Sequence, residues 1–410
     1  MNARSHRVLI INQYFPPDTS ATAVVAADVA RAFVRAGHSV TVLAGRPSYQ
    51  PTSTRPWRLV AREAYEGCVV ERVGSTAFGR VVMFGRAANY LSYLSLAFWR
   101  ALSIRADVII AMTDPPVAVV VAAAAAALRG IPLVYNVRDL HPEMALAAGM
   151  LRPGPLASLW TWLHRWGLRR AARVIVLGDD MKSRVIALGA PADRVVIVRD
   201  GAHISVGAPK FVRSGILTER VRSGFAFTVM HAGNIGFSGA WDTLLSAARL
   251  AGPDVGFIFV GDGAQRTALQ KQSAGQSNVR WLDPCPPDDV AELMNAGDLQ
   301  VVTVRGGLEG LVVPSKLYTI LAAGRPALIV AAASSDAAAI VLEARCGWVA
   351  NSDDPAAVAS AIAEARANSE ERLRRADAAA VTGARFERSR LLENFVGEVE
   401  WTAAHHGARN

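Results

Sequence analysis

At 410 residues, with 51% apolar and 19% charged positions, the chain is too long for one comfortable core and predicts two domains of about 180–200 residues each. The composition excludes a disordered or disulfide-stapled protein, because Cys68, Cys285 and Cys346 stand far apart with no CxxC pair, the pattern of a reducing compartment. A formal net charge of +9 favours an anionic partner. With arginines scattered singly and no basic block, a phosphorylated small molecule or an anionic membrane surface fits better than nucleic acid.

The first apolar run, 8–11 in HRVLIINQYFPPD, is too short for a signal peptide and predicts a buried strand. Asp18, Thr19 and Ser20 then offer caps for the helix ATAVVAADVARAFVRAG, which Gly37 stops. Their loop also lies where a cleft wall would, and Asp18 is its polar candidate. HSVTVLAG and ADVIIAM predict further strands. The alanine-rich run 117–128 is too short to span a bilayer and predicts a buried helix. After the strand IPLVYNV comes a loop gathering Asn136, Arg138, Asp139, His141 and Glu143. A strand exit is where acid/base groups belong, although Asp139 also fits as an ordinary cap. No second histidine stands at metal-ligand spacing nearby. AARVIVLG predicts a strand before another helix. Two helical stretches, 80–102 and 159–173, mix aromatics with arginines, and either could lie on a membrane or pack inward with a solvated side.

Residues 199–224 show no clear period and hold several glycines, so they are read as an inter-domain connection. From Phe225 the alternation restarts with FAFTVMHAG, WDTLLSAARLAG, VGFIFVGDG and their successors to AAAIVLEARCG. Strands alternating with helices predict two doubly wound parallel sheets, which take ligands outside the carboxyl ends of their strands. HAGNIGFSG follows a strand and precedes a helix, so its glycines would let backbone N–H groups approach a phosphate. It is not a dinucleotide fingerprint, and GDGAQR fails as one because Arg266 occupies the third small position. In VPSKLYTILAAG, Pro314 and Ser315 precede the apolar period of Leu317, Ile320 and Leu321, a helix start. Lys316 then sits in the first turn, against the helix dipole. A bound anion would offset that; the plain alternative is a solvated surface lysine.

QYFPPD, DPPVAVV and VRDLHPE in the first half, with GNIG, FVGDGA, GLEGLVVPSKLY and AAGRP in the second, run in this order over roughly residues 7–390. Together they resemble the group-1, family-4 glycosyltransferases, in the branch that builds bacterial exopolysaccharides and O-antigens. The resemblance implies an α/β GT-B fold: two doubly wound Rossmann-like domains facing an inter-domain cleft. It implies an acceptor domain over 1–205, a nucleotide-sugar domain over 206–385, and a last helix, 386–410, crossing back to the first. It also implies retaining transfer from a nucleotide-sugar to a saccharide, in such pathways polyprenyl-linked, at the inner face of the cytoplasmic membrane. Neither metal nor cofactor is implied.

By the same resemblance, Glu309 would sit beside the donor sugar and Asp139 on the acceptor side, the two as catalytic residues. Gly233, Asn234, Gly236, Gly310, Leu311, Ser315, Lys316 and Thr319 would contact the donor, and Asp18, Arg138 and His141 would line the acceptor side. Two departures stand out. The places where many members carry an Arg and a Lys read Asn234 and Gly239, and the place of the second glutamate reads Thr319, so Lys316 is expected to carry more of the diphosphate charge. The rival readings are a nucleotide-sugar 2-epimerase of the same fold and a non-catalytic nucleotide-binding subunit.

Overall fold

A computed structural model describes residues 5–47, 58–76, 78, 83–204, 215–222 and 224–406. These divide into two units. The first takes the described residues of Met1–Leu177, Lys182–Val198 and Leu392–Asn410, and the second those of Gly178–Met181 and Arg199–Leu391.

The sheet of the first unit is built from β1 (Arg7–Ile11), β2 (Ser39–Ala44), β3 (Val60–Tyr65), β4 (Cys68–Val73), β5 (Val108–Ala111), β6 (Leu133–Asn136), β7 (Arg173–Val176) and β8 (Val195–Ile197). Their spatial order is β3-β4-β2-β1-β5-β6-β7-β8. The central strands are buried and apolar over most of their length, as in Val8–Ile11 and Val108–Ala111, as sheets covered on both faces require. Val8 pairs with Val40 on one side and Val108 on the other, in parallel register. Chain order runs outward in opposite directions from β1 and β5, which makes the gap between their exits the switch point of this sheet.

The edge departs from the all-parallel expectation. β3 pairs antiparallel with β4, joined by Glu66 and Gly67 alone, with φ of 44° and 86°. Two positive φ values in a two-residue loop make the tight turn whose twist suits a hairpin. The signal was present in the sequence as AREAYEGCVVERV, a Glu-Gly pair between two alternating runs.

The alanine-rich run is the helix Ala118–Arg129, buried along Ala118, Val119, Ala122, Ala123, Ala125 and Ala126 and closed by a left-handed Gly130, an ordinary helix stop. Helix Pro155–Arg170 lies so close to it that a β-carbon on Gly167 would come within 2.9 Å of Val119. The helix Arg388–His405 contributes Phe395, Val396 and Val399 to the same core as Ile10, Phe33, Val42 and Ile110. Polar contacts fix its rotation: Glu400 meets buried His38 at 2.9 Å, Arg173 donates to Glu398 at 2.8 Å, and the Arg173 guanidinium lies over Trp401. No helix among the described residues is long and apolar enough to cross a membrane.

The second unit has β9 (Phe227–Ala232), β10 (Val255–Val260), β11 (Val279–Leu282), β12 (Leu299–Thr303), β13 (Ala327–Val330) and β14 (Gly347–Ala350). All are parallel, in the order β11-β10-β9-β12-β13-β14. The direction of winding reverses between β9 and β12, so the loops leaving those two strands stand at its switch point. The described parts of the supposed connection, 199–204, 215–222 and 224, fall in this unit. Residues 205–214 and 223 lie outside the described set, but Ile216–Arg222 is a helix that buries Thr218 and Val221. Arg222 pairs with Asp298 at 2.9 Å, and Glu292 accepts from the Thr218 amide. The helix is short, and its period was hidden among glycines and charges.

Candidate active site

Beside the switch point of the second unit, the glycine-rich loops leaving β9 and β10 lie backbone to backbone. The Gly233 amide donates to the Val260 carbonyl at 2.8 Å and the Ile235 amide to Asp262 at 2.9 Å, while Ile235 accepts from Gln265 at 3.0 Å. Gly261, at φ +138°, would place a β-carbon 2.0 Å from the Gly233 carbonyl oxygen. Close packing of HAGNIG on VGDG is therefore enough to require these glycines. Asn234 is exposed and Gly236 half-buried, and the Gly236 carbonyl accepts from the Trp241 indole at 2.6 Å. The same indole explains Gly239: a β-carbon there would lie 2.4 Å from its ring. No lysine could stand at that place without moving Trp241.

Lys316 opens the helix Lys316–Ala322, after Ser315. It is half-buried rather than solvated. Its Nζ lies 2.9 Å from His231 Nε2 at the end of β9, and 3.1 Å from where a Gly233 β-carbon would be. Loss of water holds the Lys316 amine down to about 7. Burial, and then the neighbouring lysine, push His231 well below the ordinary histidine range. The imidazole is therefore neutral, and its Nε2 accepts from the amine in the tautomer that carries the ring proton on Nδ1. Among the described residues no carboxylate pairs with Lys316. His231 did not stand out in the sequence; the one signal was a polar residue closing an apolar strand in VMHAG.

Glu309 lies in the loop leaving β12 and is half-buried. Oε2 accepts from the Gly307 amide at 2.8 Å and Oε1 from the Ala332 amide, beyond β13, at 3.4 Å. Gly310 turns the chain at φ +70°. Leu311 is a core residue, 3% exposed, and its amide is spent on Leu308 at 3.0 Å, so that backbone group is closed within the loop. The Ser315 hydroxyl makes no cap bond to the helix it precedes. Thr319 is buried and its hydroxyl accepts from the His203 amide at 3.1 Å. Within a helix buried along 317–322, this short side chain meets backbone.

In the first unit the helix after β1 is capped by Ser20, whose Oγ accepts from Ala23 at 3.2 Å, while Asp18 is buried beside it. Arg138, Asp139 and His141 occupy the exit of β6, all half-buried. Asp139 is not a helix cap, for the helix Glu143–Ala147 starts from Pro142. His141 stacks on Trp160 at 6.0 Å and 12°. Beneath this loop Tyr135 meets His164 Nε2 at 3.3 Å, and Glu143 lies 3.8 Å from its Nδ1. Burial drives both ionisable partners towards their neutral forms, raising Glu143 and lowering His164 to about 4. Among the described residues no group of three metal-ligating side chains occurs.

Comparison with known proteins fits this geometry. Residues 20–201 match the family described as Glycosyl transferase 4-like domain, and residues 226–368 the one described as Glycosyl transferases group 1. A probable glycosyltransferase of Pseudomonas aeruginosa, WbjE, is 27% identical over 294 residues, 70% of this chain and 72% of its own. WcaI of Escherichia coli (strain K12), described as a candidate colanic acid biosynthesis glycosyl transferase, is 23% identical over 350 residues, covering 80% and 84%. The crystal structure of Anabaena Alr3699/HepE in complex with UDP-glucose superimposes with a TM-score of 0.69 at 17% identity, over 96% of this chain and 98% of that one. With two doubly wound units of the GT-B class and a matched family over each, the chain belongs to the group-1, family-4 glycosyltransferases and is a glycosyltransferase enzyme.

Proposed function

We propose that the protein is a retaining transferase of cell-surface polysaccharide synthesis, taking a sugar from a nucleotide-sugar held on the second unit and passing it to a lipid-linked saccharide held on the first. The observation that carries the donor reading is Lys316: a desolvated amine at the switch point, against the Gly233 turn, with no carboxylate partner among the described residues. A cation in that state is costly unless an anion completes it. Departure of a nucleoside diphosphate from the anomeric carbon develops negative charge, which a fixed cation stabilises more in the transition state than in the ground state. Glu309, fixed by two backbone amides, is the carboxylate beside the sugar, and Asp139, with Asp18, Arg138 and His141, serves the acceptor. The colanic acid assignment of WcaI and the UDP-glucose held by HepE support the pathway and the donor class.

The test is product analysis with UDP- and GDP-sugars and polyprenyl-diphosphate saccharides, followed by proton NMR of the new linkage. Transfer with unchanged anomeric configuration is expected. Conversion of the donor without acceptor would instead identify an epimerase, and nucleotide binding without any turnover a non-catalytic subunit.

Membrane attachment belongs to the same proposal. Helices Met83–Ser103 and Pro155–Arg170 expose Leu91, Trp99, Leu156, Leu159 and Trp162, with Arg165, Arg169 and Arg170 also exposed. Apolar side chains edged by arginine suit an anionic lipid surface. Sedimentation with phosphatidylglycerol vesicles should fall several-fold in the Leu159→Ala, Trp162→Ala double variant and in high salt. Equal binding of that variant would refute attachment through this helix.

A further inference from the structure

His231 is 2% exposed and held from several sides. Its ring stands edge-on to Trp241 at 4.7 Å and 90°, with Phe259 of β10 at 6.5 Å. Trp241 is itself anchored by its bond to Gly236. These ring contacts restrict how far the imidazole can turn. A lysine, by contrast, has four rotatable bonds and keeps its aim only where something takes away that freedom. Nε2 is that partner, and the amine it accepts from packs on the Gly233 turn. A neutral imidazole is well suited to hold it. As an acceptor it neither repels an ammonium nor pairs with its charge as a carboxylate would, so the charge gained when a ligand binds serves that ligand.

We infer that His231 is a positioning residue for donor binding: its Nε2 lone pair holds the Lys316 amine against the Gly233 turn, ready for the diphosphate, without touching the ligand. This rests on Lys316 being the phosphate contact proposed above. When a diphosphate binds, the neutral amine takes a proton from solvent; one N–H of the resulting ammonium stays on His231 and two face phosphate oxygens. The other ionisable groups on the packed loops are Asp262, which accepts from the Gly263 amide, Glu309, held by the Gly307 and Ala332 amides, and Arg305, whose own amide donates to Ser238. Among the described residues Lys316 pairs with none of them.

Calorimetry on the full chain with UDP and with GDP, at pH 6 and pH 8.5 in two buffers of different ionisation enthalpy, reads both affinity and protons. Wild type should take up close to one proton on binding at pH 8.5, whereas at pH 6, where the lysine is already charged and the terminal phosphate of the free nucleotide is partly protonated, it should take up none or release a fraction of one. His231→Phe should weaken binding about tenfold and take up less than half as much. His231→Gln, whose amide oxygen can still accept, should stay within about threefold of wild type. Wild-type affinity and uptake in His231→Phe, with binding lost in Lys316→Ala, would overturn the positioning role and leave the lysine contact standing. Equal losses in the Phe and Gln variants, with a lower melting temperature in each, would make His231 a packing residue only. Unchanged binding in Lys316→Ala, or no binding of either nucleotide by wild type, would remove the donor reading and this inference with it.

Discussion

Glu309→Gln is expected to lower turnover by about two to three orders of magnitude while changing nucleotide affinity less than about threefold. The carboxylate is fixed by amides from two loops, Gly307 at 2.8 Å and Ala332 at 3.4 Å. A group held this way keeps its charge in place while the sugar–phosphate bond breaks, when positive character develops on the sugar. Glutamine keeps the size but not the charge, and its NH2 group would face an amide donor. The two bonds also make Glu309 a staple of its loop, and that plainer role predicts something else: binding and turnover falling together with thermal stability. Separate measurement of kcat, nucleotide affinity and melting temperature distinguishes them. Turnover within threefold of wild type would end the catalytic reading.

Lys316→Met is expected to weaken nucleoside diphosphate binding about 10–100-fold, the worth of one charge-assisted contact of about 1.5–3 kcal/mol, and yet to raise the melting temperature by about 2–4 °C. The opposite signs are what make the test decisive. Methionine fills similar space, and the variant no longer has to desolvate an amine that, among the described residues, has only His231 for a partner. The pH dependence follows. The folded pKa of Lys316, about 7, lies below its unfolded value of about 10.4. Between those values the unfolded chain holds a proton that the folded one lacks, so wild-type stability rises with pH across that window. The advantage of Lys316→Met is therefore largest below pH 7 and fades towards pH 10. A variant that binds normally, or one that loses both binding and stability, would contradict this account.

Much of the fold was legible because it rests on local pattern. Alternating β-branched runs and helical periods specify doubly wound sheets whichever strand neighbours which. The Glu66-Gly67 turn is written in two residues, although the antiparallel edge it makes is not what an alternating pattern leads one to expect. Among the site residues, Lys316 stood out by a local conflict, a cation in the first turn of a helix, and the burial of its amine makes that conflict sharper.

What the sequence by itself determined is the class of the two domains, the family, and the short stretches that matter: GNIG, VGDG, GLEG and PSK. Only the tertiary structure decided what each residue in them touches. Thr319 is turned to the His203 amide, the Leu311 amide is spent on Leu308, and Gly239 lies under Trp241. His231 was invisible as a partner for the reason that separates the two levels. It lies 85 positions from Lys316 along the chain, and only the reversal of winding between β9 and β12 brings the exits of those strands side by side.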